Sequence, residues 1–222
     1  MDSEGVKIVE QEGRLGLQIF DSSLKKYMNP YFVDFSKTFE MFSRDRSLLS
    51  QPLLKAIGVK KGVRSVIDAT AGFCGDSICF LSAGLKVTSI ERNFTLFEMI
   101  SRERSLFLEK KPYRNLMENF NLRFGDAIDI FGEVEAPEVI YLDPMFPRKK
   151  KGKSPKEMQI LQELLKENTF DVEEESSRIL EASLSVATKR VVVKRPLKAT
   201  FLMKKPNKSF LGKSIRYDLY LA

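Results

Sequence analysis

Between residues 64 and 194 the chain alternates short apolar, β-branched runs with longer stretches of helical periodicity, and this alternation constrains the fold more than any other feature. A strand that returns parallel to the one before it needs a crossover, and a helix is the usual one. The pattern therefore predicts an open, mostly parallel sheet with helices packed on it. Strands are expected at 64–69, 86–91, 121–124, 138–143 and 190–194, with the apolar 138–143 and 190–194 runs buried. Helices are expected at 47–57, stopped by Gly58, at 76–83, stopped by Gly84, and at 94–110, 155–166 and 176–187.

Two segments lie outside that alternation. The tail, 209–211 and 215–221, alternates polar and apolar residues and predicts a closing antiparallel hairpin. Residues 6–20, around Gly13 and Gly16, and the aromatic run 31–35 predict small strands. The expected organisation is an N-terminal extension at 1–46 followed by one α/β domain at 47–222.

Composition narrows the chemistry. No histidine occurs anywhere, which removes every Ser-His-Asp or Cys-His mechanism and the usual nitrogen ligands of zinc. Cys74 and Cys79 are too few for a disulfide framework and read as packing residues, and no metal site is expected. The chain lacks a membrane-length apolar stretch and a signal-peptide pattern, so a cytoplasmic protein is expected. A net charge of +7 suits a polyanionic partner or simply solubility.

Ligands of open α/β sheets bind beyond the carboxyl ends of the strands. Three predicted strands end there in acids: Asp68, Glu91 and Asp143. The loop from Asp68 to Asp76 is built of small residues around Gly72 and Gly75, so a ligand can approach its backbone. Glu91, nineteen positions after Gly72, is placed to accept hydrogen bonds from the hydroxyls of an adenosine ribose. The loop lacks the G-x-G-x-x-G form that faces a pyrophosphate. Asp76 would repel a diphosphate, but it could bind the ammonium of a methionine moiety or cap the following helix. S-adenosylmethionine carries that ammonium and has no phosphate.

Asp143-Pro144-Met145-Phe146-Pro147 supplies the parts needed to methylate an aromatic amine. A carboxylate and a backbone carbonyl accepting the amine's two protons would localise its lone pair, and Phe146 could stack on the base. The catalytic candidates are Asp143, Pro144 and Phe146.

These strings, with Lys156-Glu157-Met158, the Thr188-to-Pro196 segment, Phe32-Val33-Asp34-Phe35 and Arg216-Tyr217-Asp218-Leu219-Tyr220, resemble the bacterial small-subunit (16S) ribosomal RNA guanine-N2 methyltransferase family. The resemblance implies a Rossmann-like class I methyltransferase fold with a seven-stranded sheet. It also implies S-adenosyl-L-methionine as cofactor, and 16S rRNA or the small ribosomal subunit as partner. Carried over by position, it implies cofactor contacts at Gly75, Asp76, Glu91, Arg92, Asp126, Ala127 and Asp143, beside Asp68 and Gly72. Gly75 stands where the family loop is expected to carry arginine, Asp126-Ala127 replaces a pair of serines, and the N-terminal region is short.

The basic run Arg148, Lys149, Lys150, Lys151 and Lys153 follows the acceptor loop directly, and Lys194 and Arg195 end a strand near it, so all seven are candidate RNA contacts. Lys204, Lys205, Lys208 and Lys213 could extend that patch; a solvated basic loop is the alternative. Two other functions stay open on sequence: methylation of DNA adenine or a protein amide, and a non-catalytic RNA-binding assembly factor on the same fold.

Overall fold

The computed structural model describes residues 5–21, 23–144, 156–164 and 171–222. The chain opens with β1 (Val6–Gln11) and β2 (Arg14–Asp21), an antiparallel pair in which Gln11 faces Arg14. Glu12 and Gly13 make the two-residue turn with φ of 52° and 74°, the left-handed geometry that matches strand twist. Two short strands, β3 (Lys26–Tyr27) and β4 (Tyr31–Phe32), pair with β2. The first helix, α1 (Phe35–Arg44), begins where Asp34 accepts the Ser36 N–H as N-cap. Thus Phe35 starts a helix, whereas the aromatic run 31–35 pointed to strand throughout.

The helix expected at 47–57 is broken. A 3₁₀ turn at Leu48–Ser50 is followed by an extended Gln51 and then α2 (Pro52–Ile57), because Pro52 disfavours helical geometry in the residue before it and fits a first helical turn itself. Gly58, at φ 90°, closes α2 as expected.

The alternating region then follows: β5 (Ser65–Asp68), α3 (Gly75–Ser82), β6 (Lys86–Glu91), α4 (Phe94–Glu109), α5 (Lys111–Met117), β7 (Phe120–Phe124), α6 (Ala127–Ile130) and β8 (Val139–Leu142). It continues through α7 (Lys156–Leu164), α8 (Val172–Val186), β9 (Arg190–Pro196), β10 (Lys208–Leu211) and β11 (Ile215–Leu221). Asp171 caps α8, so Glu173, Glu174 and Glu175 form its first turn, where acids meet the positive end of the helix dipole. The acidic run 173–175 reads in the sequence as the exposed beginning of a helix and is that beginning, ahead of the 176–187 span given by apolar spacing.

Seven strands form one sheet in the order β10-β11-β9-β8-β5-β6-β7. Strands β5 to β9 run parallel, and β11 and β10 add the antiparallel hairpin read in the tail. Both faces are buried. Val66, Val87, Val139 and Val192 pack toward Leu54, Ile78 and the α4 residues Ile100 and Phe107. Ile67, Ile140, Val191 and Val193 face Ile130 and Leu180 from α6 and α8. The chain passes from β5 outward to β7 and then returns to β8 on the other side of β5, so the order reverses between β5 and β8, where a ligand crevice is expected.

Among the described residues two ion pairs fasten the N-terminal strands to α4: an exposed one between Glu10 and Arg102 at 2.8 Å, and a more buried one between Arg14 and Glu103. Arg14 Nε and Nη2 each lie 2.9 Å from an oxygen of Glu103 on α4; Glu103 is buried and also accepts the Phe35 N–H at 3.2 Å. Arg14→Ala would leave the Glu103 carboxylate buried with a single donor. It should destabilise the protein by about 2 kcal/mol, below a fully buried pair because Arg14 is partly exposed. Adding Glu103→Gln should recover part of the loss. Urea unfolding measures both, and a loss below about 0.5 kcal/mol would show that the pair does not hold the extension.

Candidate functional site

Backbone register brings the strand-end acids together. Asp68 lies beside Ser89 on one side and Tyr141 on the other, and Leu142 pairs with Val193, which sets Asp143 next to Lys194 at the following step. Lys194 in turn pairs with Tyr217 of β11. The carboxyl ends of β5, β6, β8 and β9 thus form one edge.

The loop after β5 is closed by its own hydrogen bonds. The Thr70 N–H reaches Asp68 Oδ1 at 3.3 Å, the Ala71 N–H reaches the Ile90 carbonyl at 3.1 Å, and the Gly72 N–H reaches Glu91 Oε2 at 2.8 Å. The Cys74 N–H goes to the Ala71 carbonyl at 2.7 Å. Gly72 takes φ 53°, and the buried Cys74 takes φ 59° just before α3, a conformation that costs a side-chain-bearing residue energy and is held by this closed loop. Phe73 packs on Tyr31 of β4 with ring centroids 4.9 Å apart, so the N-terminal strands touch the same loop.

Those inward-turned N–H groups decide what the loop can hold. A dinucleotide loop aims its backbone donors at phosphate, and here four of them serve the protein's own acceptors. The side chains offered instead are acidic. Glu91, 8% exposed, takes the Gly72 N–H on Oε2 and the Asn93 N–H on Oε1 at 2.7 Å, and each oxygen keeps a lone pair for a further donor such as a ribose hydroxyl. Among the described residues nothing beyond its own neighbours lies within 4 Å of where a Cβ on Gly75 would sit, so they leave the loop open there. This set of acceptors fits a nucleoside that carries positive charge and lacks phosphate, the chemistry of S-adenosylmethionine.

Asp76 stands in the first turn of α3 and does not cap it; the N-cap position is Cys74. Its Oδ2 accepts from the Tyr141 hydroxyl at 2.6 Å and from Lys194 Nζ at 2.9 Å. The same Lys194 Nζ lies 2.8 Å from Asp143 Oδ2, and the Asp143 N–H donates to Thr70 Oγ1 at 2.6 Å. One ammonium thus joins two carboxylates, and their charges outweigh burial and hold Lys194 above the usual lysine range. Burial, with the charges of Asp76 and Asp143, pushes the Tyr141 hydroxyl well up, so it acts as a neutral donor.

Asp68 is fully buried. Ser77 Oγ lies 2.5 Å from its Oδ2 and 2.7 Å from Ser89 Oγ. Burial pushes the Asp68 carboxyl up to about 7 against the Ser77 hydrogen bond, with the negative charges of Asp76 and Asp143 adding to the shift. Burial also raises Glu91, opposed by the Asn93 and Gly72 N–H groups.

Other expected positions have different surroundings. Arg92 pairs with Glu175 on α8. Asp126 caps α6 by accepting the Ile128 N–H at 2.9 Å, leaving its second oxygen for another donor, and Ala127 is buried behind it. Lys194 and Arg195, expected at the RNA, are turned to the protein: Lys194 to Asp76 and Asp143, and Arg195, only 1% exposed, to the Thr200 carbonyl at 2.8 Å and Glu173. Their charge is engaged within the fold. Pro144 follows Asp143 at the edge, while Phe146, Arg148, Lys149, Lys150, Lys151 and Lys153 lie outside the described residues.

Thr70, Ser77, Tyr141 and Tyr217 were not foreseen as site residues. Tyr141 had a signal, since it lies two positions before Asp143 and so on the same face of β8.

The described residues contain no helix long and apolar enough to cross a membrane and no cluster of three or more potential metal ligands. A family model described as "Putative SAM-dependent methyltransferase" matches residues 1–222. The chain is 37% identical over 175 residues to ribosomal RNA small subunit methyltransferase J of Pseudomonas savastanoi pv. phaseolicola, a match covering 77% of this chain and 63% of that protein. To the enzyme of the same name from Bdellovibrio bacteriovorus it is 31% identical, across 100% of this chain and 80% of the relative. Among solved structures, a SAM-dependent methyltransferase from Neisseria gonorrhoeae superposes with a TM-score of 0.76 at 26% identity, covering 100% of this chain and 84% of that one.

The buried Asp68 makes stability depend on pH. Its folded value near 7 lies above its ordinary 3.8, so the native state binds this proton more tightly than the unfolded chain does. The contribution is present in full below the unfolded value and is lost as pH rises through the folded one. Asp68→Asn keeps the shape without ionising, so it should flatten the decline of unfolding free energy across that window. Urea unfolding of both proteins at several pH values tests this, and parallel curves would show that Asp68 ionises in the fold as easily as in the unfolded chain.

Proposed function

The chain belongs to the family of putative SAM-dependent methyltransferases, and we propose that it methylates the exocyclic N2 amine of a guanine in 16S ribosomal RNA, free or within the small subunit. The observation that carries this reading is Asp143 at the β5–β8 reversal, its N–H donating to Thr70 and its half-exposed carboxylate accepting from Lys194, beside a loop with no phosphate cradle. The relatives named as ribosomal RNA small subunit methyltransferases support the choice of RNA over DNA or protein. A cytoplasmic location accords with such a substrate. Residues 47–222 are taken as the catalytic domain and 1–46 as its fastened extension.

S-adenosyl-L-methionine supplies an activated methyl carbon. Glu91 would hold the ribose hydroxyls, Asp126 the adenine amine and Asp76 the ammonium, with Asp68, Gly72, Gly75, Arg92 and Ala127 shaping the surroundings. A guanine amine is a weak nucleophile because its lone pair is delocalised into the ring. Asp143 and the Pro144 carbonyl accept its two N–H groups and return that lone pair to nitrogen, and Phe146 stacks on the base. Asp143 or solvent would take the proton that the amine gives up as the N–C bond replaces the cofactor's S–CH3 bond, the sulfonium leaving as a neutral thioether. Lys194 holds Asp143 in place through its 2.8 Å contact, so alignment and a fixed acceptor do the catalytic work without a strong base.

Methyl transfer from labelled cofactor to unmethylated 30S particles, naked 16S rRNA and duplex DNA tests the reading. Label in N2-methylguanine of rRNA is expected. Label only in DNA, or none in any substrate, would overturn it. Glu91→Ala should weaken cofactor binding by about tenfold or more in calorimetry, because it removes a paired acceptor. Lys194→Met should lower the single-turnover methylation rate by about tenfold or more while rRNA affinity stays within about twofold. Equal losses of rate and RNA affinity would show that its charge reaches the RNA instead.

A further inference from the structure

The connection from β9 to β10, residues 197–207, leaves the sheet just beyond Lys194 and so rises from the edge that carries Asp143. It is held by two buried arginines. Arg216 Nε lies 2.9 and 3.0 Å from the two Asp218 oxygens, its Nη1 donates to the Pro196 and Leu197 carbonyls at 3.0 and 2.7 Å, and its Nη2 to the Thr200 carbonyl at 3.3 Å. Arg195 donates to that same Thr200 carbonyl at 2.8 Å. With its carbonyls gathered inward, Leu202 half-buried and Pro206 buried, the connection presents its other side chains to solvent.

Those side chains are unusual for a surface. Phe201 is 44% exposed, yet its ring is fixed against the Arg216 guanidinium, whose Cζ lies 4.9 Å from the ring centroid. Met203 is exposed beside it. Lys198, Lys204 and Lys205 are exposed, and from 197 to 213 the sequence has no acidic residue. An aromatic ring backed by an immobilised cation and flanked by lysines suits a single-stranded nucleic acid, which offers π-faces and phosphates together. An acidic protein surface would use the lysines but leaves the ring unexplained.

We propose that this connection is the RNA-gripping surface of the enzyme: Phe201 stacks on an unpaired base near the target nucleotide, and Lys198, Lys204 and Lys205 contact the flanking phosphates. The inference rests on the RNA-methylating reading above. The clamp on Pro196, Leu197 and Thr200 orders the platform before RNA arrives, so binding loses less conformational entropy than it would on a free loop.

The test uses the full chain with naked 16S rRNA and unmethylated 30S particles. Phe201→Ala and Phe201→Leu should each raise KM for rRNA by about tenfold with kcat and cofactor affinity unchanged, and Phe201→Tyr should restore it. A purely apolar packing role would accept leucine, so wild-type KM in Phe201→Leu would overturn the stacking. Replacing Lys198, Lys204 and Lys205 together with glutamine should reduce the slope of log affinity against log salt by about two units. An unchanged slope in the folded variant would overturn the phosphate contacts. Direct binding to naked rRNA is measured in every variant, so a wild-type protein that fails to methylate rRNA defeats the functional reading, while the binding data still decide the loop.

Discussion

The carboxylate of Glu91 is the constraint on which the edge of the sheet depends. Placed at the end of a buried strand, it must be hydrogen-bonded where it stands, and the donors come from two segments: Gly72 of the loop after β5 and Asn93 at the start of α4. Asn93 then accepts the Leu96 N–H at 3.1 Å and caps that helix. One side chain thereby closes the loop, fixes where α4 begins and keeps a lone pair on each oxygen. The inward turn of the loop's N–H groups follows from the same closure, and it makes the crevice unsuited to a pyrophosphate and suited to hydroxyls and cations.

Much of this was readable in the chain because it is local. A β-branched run ending in an acid, followed by small residues and an apolar helix, needs no partner to be recognised, and β5, β6, β8 and β9 fall where the pattern put them. Local signals were also overlooked. Phe35, Phe39 and Phe42 recur at helical spacing behind a capping Asp34, which marks α1 better than the aromatic run marks a strand. Ahead of the acids at 173–175, which do read as the beginning of a helix, Asp171 is the cap of α8.

What sequence could not give was register. Lys194 is 51 positions from Asp143 and 118 from Asp76, and nothing near it in the chain distinguishes a lysine that bridges two carboxylates from one that meets solvent. Only the pairing of β8 with β9, and of β9 with β11, sets Asp143, Lys194 and Tyr217 side by side. Arg195 shows the same limit: the chain places a guanidinium at a strand end, but it is drawn inward by the Thr200 carbonyl, five residues on where the connection folds back, and by Glu173 of α8.

These buried cations change how the net charge of +7 should be understood. Arg14, Lys194, Arg195 and Arg216 each face a carboxylate within the fold, so they add little to the field outside. Among the described residues at the strand ends, Asp76, Asp143 and Glu91 outnumber Lys194, which favours a cation there. The exposed lysines of the β9–β10 connection stand at the rim of the same edge. A cation and a polyanion need opposite potentials, and in water containing salt these are screened over about 10 Å. On the proposed reading, separating them by depth would let one edge of the sheet attract both: acids held by backbone N–H groups, Tyr141 and Lys194 deeper in, and exposed lysines where phosphates would lie.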